Sequence, residues 1–222
     1  MALWWRHDRA SRETVGVALT AEIDVLPPAE RVRLANESWD MKPVPGRVVE
    51  PRRVPLIPLE QADNPILLTH TYARVVVRNP TSRDCTLIAF RHPDGNLNPE
   101  YMKCFVIDPV IHDAAGNEVP PGERLSMSSR TERVPPFGAA LKAENLPTFN
   151  LTAGGSFVLP LEVLNGHTGR NLRPGSFTIR ARVTYADARD GEARVLTTDP
   201  ITIEVTQQHI DFYRSFIGEP PD

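Results

Sequence analysis

Lysine is nearly missing from this chain. It occurs only as Lys42, Lys103 and Lys142, so almost all of the 25 positive residues are arginines, set against 28 carboxylates for a net charge of −3. The arginines are interleaved with Asp and Glu, and the one basic run, Arg47 to Arg53, is broken by Glu50 and Pro51. A nucleic-acid partner needs a concentrated basic surface, so none is expected. Cysteine is almost as scarce: Cys85 and Cys104 are the only two, which excludes a disulfide-dense scaffold. The sequence leaves open whether they are bridged; a bridge would close a loop of about twenty residues, worth ~3 kcal/mol. No apolar run approaches the roughly eighteen residues of a spanning helix, so no membrane partner is expected. The start, Met1-Ala-Leu-Trp-Trp-Arg-His-Asp-Arg9, meets charge at Arg6 and lacks the apolar core of a secretory leader, which makes the cytoplasm the expected location. Aromatics are few at 7%, and glycines number 13.

What the chain has in excess is proline, 22 residues of 222. Each proline inside a helix removes a donor and clashes with the preceding turn, so short strands and ordered coil are expected in place of long helices. Periodicity agrees. Val15, Val17, Leu19, Ala21, Ile23 and Val25 alternate with mostly polar residues, as in a strand with one buried face, and the run ends at Pro27-Pro28. Residues 29 to 65 show no persistent period and read as a proline- and arginine-rich arm. Alternation returns at Ile66 through Leu67, Thr69, Thr71, Ala73, Val75 and Val77, with the turn Asn79 to Asp84 and Cys85 to Phe90 as its hairpin partner. A strand from Cys104 to His112 leads into the turn Asp113-Ala-Ala-Gly-Asn117. A short helix is expected over Ala139 to Leu146. Strands follow through Phe157 to Val163, Phe177 to Tyr185, Ala193 to Thr197 and Ile201 to Val205, with Asp187 to Gly191 as a hairpin turn. The tail Ile210 to Ile217 suits a short amphipathic helix stopped by Gly218 and Pro220.

Eight or nine short strands with Pro/Gly/Asn/Asp turns imply an all-β fold, an antiparallel sandwich. Four segments carry a resemblance: Val75-Val-Val-Arg-Asn-Pro-Thr81, Asp113-Ala-Ala-Gly-Asn-Glu-Val-Pro120, Leu151-Thr-Ala-Gly-Gly-Ser-Phe157, and Leu172-Arg-Pro-Gly-Ser-Phe-Thr-Ile-Arg-Ala-Arg-Val-Thr-Tyr185. Their order resembles the Ig-like or fibronectin-like β-sandwich of bacterial accessory domains, the intracellular proteinase inhibitor type among them. The resemblance spans about residues 66 to 206. It implies turn and strand-edge roles for these residues, with Gly155 and Gly175 leading into strands. The expected organisation is an N-terminal strand and proline-rich arm over 1–65 packed on the sandwich, an Ig-like sandwich over 66–208, and a short helical tail over 209–222.

Chemistry is hard to find. His7, His70, His92, His112, His167 and His209 lack metal-ligand spacing. Gly154-Gly-Ser-Phe-Val lacks the second flanking glycine of a nucleophile elbow, and no phosphate-binding loop occurs. Asp187, Asp190 and Glu192 around Gly191 lack the alternating ligand set of a calcium loop and read as an ordinary turn. No catalytic residue, metal or cofactor is therefore assigned. The residues left over are large aromatics and arginines in segments without a core period, the types that dominate interfaces. Trp4, Trp5, Trp39, Arg52, Arg53, Arg91, Tyr101 and Phe137 are the candidate partner-binding residues. Whether the tryptophans are interface or a lid over one sheet stays open. The expected function is a non-catalytic protein-binding or assembly module, inhibitor-like or an accessory subunit, acting on another protein or on itself. The alternatives are a hydrolase or metalloenzyme whose site assembles from distant residues, and a carbohydrate-binding module.

Overall fold

The computed structural model describes residues 18–39, 56–88, 104–119, 148–164 and 173–217. Among them the chain is mostly antiparallel β, as the alternation predicts. The strands are β1 (Thr20–Val25), β2 (Ala73–Arg78), β3 (Cys85–Ile88), β4 (Val106–His112), β5 (Thr148–Leu151), β6 (Ser156–Leu161), β7 (Gly175–Ala186), β8 (Ala193–Thr197) and β9 (Ile201–Val205). They form a β1-β2-β6 sheet, a β3-β5 pair and a sheet ordered β4-β7-β8 in which β9 also pairs with β7.

β7 organises the second sheet. Its first half pairs with β9 and its second with β8, while β4 runs along most of its other side. Thr198 bridges the gap between β8 and β9: its N–H donates to the Ala181 carbonyl and its Oγ1 accepts from the Ala181 N–H, both at 3.0 Å. The side chain supplies the acceptor that a regular strand would have placed there. The sheets share one core. Val75, Val77, Leu161, Ile179, Val183 and Ile203 are at most 1% exposed, and Tyr185 closes one end beside Phe105.

The turn after Asn79 does not make a hairpin, contrary to the sequence expectation. β2 pairs with β1 and β6, and β3 pairs with β5, so residues 79 to 84 carry the chain from one sheet to the other. The β5–β6 connection makes the reverse crossing. Gly155 is needed in it, because a Cβ there would lie 2.7 Å from Thr152 Oγ1 and 2.9 Å from the Thr152 carbonyl oxygen.

The proline-rich region departs most from its reading. Residues 28 to 39 form α1 (Pro28–Trp39), followed after the undescribed stretch by a short 3-10 helix at Leu59–Gln61. Pro28 opens the first turn of α1, where its missing N–H costs nothing. The helix shows no apolar stripe because its inner face is Arg31, Val32 and Ala35. Arg31, 6% exposed, donates to the Leu26 and Ala62 carbonyls and to Asp63, and its guanidinium lies 4.1 Å from the centre of the Tyr72 ring. Asn36 holds the Ile57 N–H and carbonyl together.

The alternation read from Ile66 to Thr71 is a series of turns, and β2 starts only at Ala73. Buried Asn64 decides this. Its Oδ1 accepts from the Ile66 and Leu67 N–H groups, and its carbonyl from the Leu68 N–H. A second apolar cluster results, with Val32, Ala35, Ile57, Leu67 and Leu68 against Phe212, Tyr213 and Phe216 of α2 (Gln207–Ile217). The helical tail is therefore present and packs on the segment that precedes β2. The expected strand before Thr20 falls partly, and the expected helix at 139 to 146 wholly, outside the described residues.

Candidate interaction surface

Among the described residues β1 is an edge strand, and its backbone phase can be read from its neighbours. The Leu26 N–H donates to the Tyr72 carbonyl at 3.1 Å, so in the 24↔74, 22↔76 and 20↔78 register the even-numbered residues bond to β2. The N–H and C=O groups of Ala21, Ile23 and Val25 consequently point to the outer edge. β2 agrees: the Asn79 N–H donates to the Gly155 carbonyl, which turns its odd-numbered residues toward β6. Side chains follow the same period. Ala21 and Ile23 pack on the core, while Glu22 and Asp24 face out and pair with Arg78 and Arg74 at 2.7 Å each.

A second feature is a polar shelf on the outer face of the β4-β7-β9 sheet. It encloses about 670 Å³ and is lined by His112, Asp113, Ser176, Thr178, Arg180 and Thr202 among others. Cross-strand register explains the set, since His112, Thr178 and Thr202 form one row and Arg180 follows two residues along β7. Asp113 is committed to its own turn. It accepts from the Ala115 and Asn117 N–H groups and the Asn117 side chain, and the Asn117 bonds first of all hold its carboxyl below the usual range. Among the described residues the Thr206 backbone N–H donates to the His209 ring, but no Ser or Thr hydroxyl and no Cys thiol is hydrogen-bonded to a histidine ring, and no group of three or more His, Cys, Asp or Glu is placed to hold a metal ion.

The acidic turn after β7 is an ion-paired anchor. Asp187 is fully buried and accepts from the Arg189 N–H, the Arg189 guanidinium and Arg194, while Arg194 also reaches Asp190. Burial pushes the Asp187 carboxyl up, but the hydrogen bonds from Arg189 and Arg194 outweigh it and hold it at about 2.

Cys85 and Cys104 are free and buried, which answers the question the sequence left open. Burial pushes both thiols up, Cys104 to about 11. Only the thiolate is a nucleophile, so native protein at pH 8 is expected to react with a disulfide reagent far more slowly than unfolded protein, with both thiols appearing on denaturation. Rapid native labelling of one thiol would contradict the burial described.

Of the candidate partner-binding residues, Trp39 is the last residue of α1. Trp4, Trp5, Arg52, Arg53, Arg91, Tyr101 and Phe137 lie outside the described residues, so the structure brings none of the eight together. From sequence an open strand edge is expected as one contact surface, but not which strand provides it, and the shelf is not expected at all. Their polar members sit on alternate strand positions, which read there as solvated faces, and neighbouring strands are needed to assemble them.

No family model matches the sequence, and no curated protein matches it. Among solved structures, a family 123 glycoside hydrolase from Clostridium perfringens is similar over 60% of this chain at 9% identity and a TM-score of 0.22. The aligned region spans 20% of that hydrolase's chain. A superposition so slight says nothing about the fold or the activity of this protein. No helix among the described residues is long and apolar enough to cross a membrane.

Proposed function

We propose that this chain is a non-catalytic protein-binding or assembly module on an Ig-like frame. Strand neighbours support the frame. With β3 and β4 taken as one interrupted strand beside β7, the orders β1-β2-β6 and β3/β4-β7-β8 resemble A-B-E and C-F-G of an immunoglobulin-type sandwich, while β5 departs from the constant type by pairing with β3 and not with β6.

The observation that carries the binding reading is where the chemistry-bearing groups are spent. Among the described residues Asp187 and Arg31 are consumed in holding turns and helices and the thiols are buried with raised pKa, while a strand edge and a shallow shelf are exposed. Strand edges and loops on a rigid sandwich are common protein-docking surfaces. The carbohydrate alternative has less support: no Phe, Tyr or Trp among the described residues lines the shelf, so it lacks the broad aromatic face on which a sugar stacks.

The test is affinity capture with the intact chain followed by light scattering of the recovered complex. A protein partner at fixed stoichiometry is the expected result. Stoichiometric zinc by metal analysis, or one hyper-reactive native thiol, would instead favour the hydrolase or metalloenzyme reading and overturn this one.

A further inference from the structure

We infer that the outer edge of β1 is a β-addition site for an extended protein segment in which basic and apolar residues alternate. The inference rests on the binding-module reading and names its surface and the chemistry of its partner. Three observations lead to it.

The first is the hydrogen-bond phase. Ala21, Ile23 and Val25 turn their backbone groups away from β2, and among the described residues no strand pairs with that edge. An incoming strand finds a row of donors and acceptors already held in extended geometry.

The second is the placement of proline. Proline blunts an edge because it cannot donate to a ladder. β6, at the far side of the same sheet, carries Pro160, whose position in register turns its missing N–H outward. β4 carries Pro109, the β8–β9 edge is broken at Asp199-Pro200, and β5 is only 4 residues long. β1 runs through Thr20-Ala-Glu-Ile-Asp-Val25 with no proline.

The third is charge. Glu22 and Asp24 stand on the outward face, 57% and 41% exposed, and each binds its β2 arginine through one carboxylate oxygen, Oε1 of Glu22 and Oδ2 of Asp24. The other oxygen of each is available to a strand on the open side. Any antiparallel pairing of β1 with a second copy that aligns these positions sets acid opposite acid, which is destabilising. A partner strand with arginine or lysine at alternate positions completes the pattern that Arg74 and Arg78 already make from β2. Its intervening side chains continue the apolar face of Ala21, Ile23 and half-exposed Val25.

The probe is an eight-residue peptide alternating arginine and valine, titrated by fluorescence anisotropy against the full chain. Two control peptides go with it, one with glutamate for arginine and one N-methylated at alternate amides. The arginine peptide is expected to bind at least tenfold more tightly than the glutamate peptide, to weaken with added salt, and to lose binding on N-methylation. The E22Q/D24N variant should bind it at least tenfold more weakly while unfolding at nearly the same temperature, since exposed ion pairs contribute little to stability. Equal binding of the N-methylated peptide, or unchanged binding by E22Q/D24N, overturns the proposal. A captured protein partner that E22Q/D24N retains at full affinity overturns the β1 assignment but leaves the binding-module reading standing. Turnover with stoichiometric metal overturns that reading whatever the peptide does.

Discussion

Asp187→Ala is expected to lower stability by about 3 kcal/mol, because removing one partner from a buried, hydrogen-bonded ion pair leaves the others uncompensated. The carboxylate is completely buried, while the side chains of Arg189 and Arg194 are 43% and 26% exposed, which keeps the loss toward the lower end of that range. For a chain of this size the melting temperature should fall by roughly 6–12 °C. The same carboxylate predicts a pH dependence. Its folded pKa of about 2 lies below the ordinary aspartate value, so the folded state favours the ionised form. The stabilisation is fully present above the unfolded pKa of ~3.9 and is lost as pH falls through that value toward the folded pKa. Asp187→Asn keeps the shape and removes the titration. Its stability should change less than that of the parent between about pH 4.5 and pH 2 in a chemical-denaturation series. Equal slopes in the two proteins would place the acid-sensitive group elsewhere.

The parts of the fold that could be read from sequence are those where a local pattern and the tertiary structure ask for the same thing. β7 and the turn after it follow directly from strict alternation and an Asp-Gly pair, and Gly191 takes the positive φ of 69° that such a turn requires. β8 is legible as a strand, but the alternation through Ala193, Val195 and Thr197 marks its exposed face, and Leu196 is the residue that packs on the core. The C-terminal helix was legible for the same reason. α1 was not, because periodicity counts apolar residues and the helix buries an arginine in place of one. Arg31 is accommodated by two carbonyls, Asp63 and the Tyr72 ring, partners that come from up to 41 residues away in sequence. Residues 66 to 72 misled in the opposite sense: Thr69 and Thr71 satisfy a strand pattern, but a side chain at position 64 had already committed the backbone to turns. The Ig-like resemblance rested on turn residues, and these report that the chain bends without reporting which strand it meets next. An open edge is less legible still. It is a property of strand order and hydrogen-bond phase, and nothing within Thr20–Val25 distinguishes an edge strand from a central one. The aromatic and arginine interface candidates stand out by residue type alone, which carries no information about whether they share a surface.

Asn79→Ala is expected to cost about 3 kcal/mol, because a buried amide that serves several backbone groups at once is lost. Asn79 is fully buried, and its amide donates to the carbonyls of Arg83, Leu151 and Thr152 at 2.7, 3.1 and 3.1 Å. Its Oδ1 accepts from the Thr81 N–H and Oγ1. One side chain therefore ties the β2–β3 crossing to the β5–β6 crossing, the two connections between the β1-β2-β6 sheet and the β3-β5 pair. Truncation leaves the buried Leu151 carbonyl and the partly buried Arg83 and Thr152 carbonyls without this donor, and each such orphan costs about 1–3 kcal/mol, reduced where water can enter. The Asn79 backbone keeps its own bonds to Gly154 and Gly155, so the crossings should loosen without coming apart. Denaturant unfolding should accordingly show a lower midpoint with an unchanged slope. Hydrogen exchange should locate the loss, with amides of residues 79–85 and 151–156 gaining exchange well before those of β7. A uniform rise in exchange across both sheets would mean that Asn79 supports only global stability. A loss below about 1 kcal/mol would assign the crossings to the backbone bonds and to the close approach at Gly155, and would remove Asn79 as the residue that fixes which sheet each strand joins.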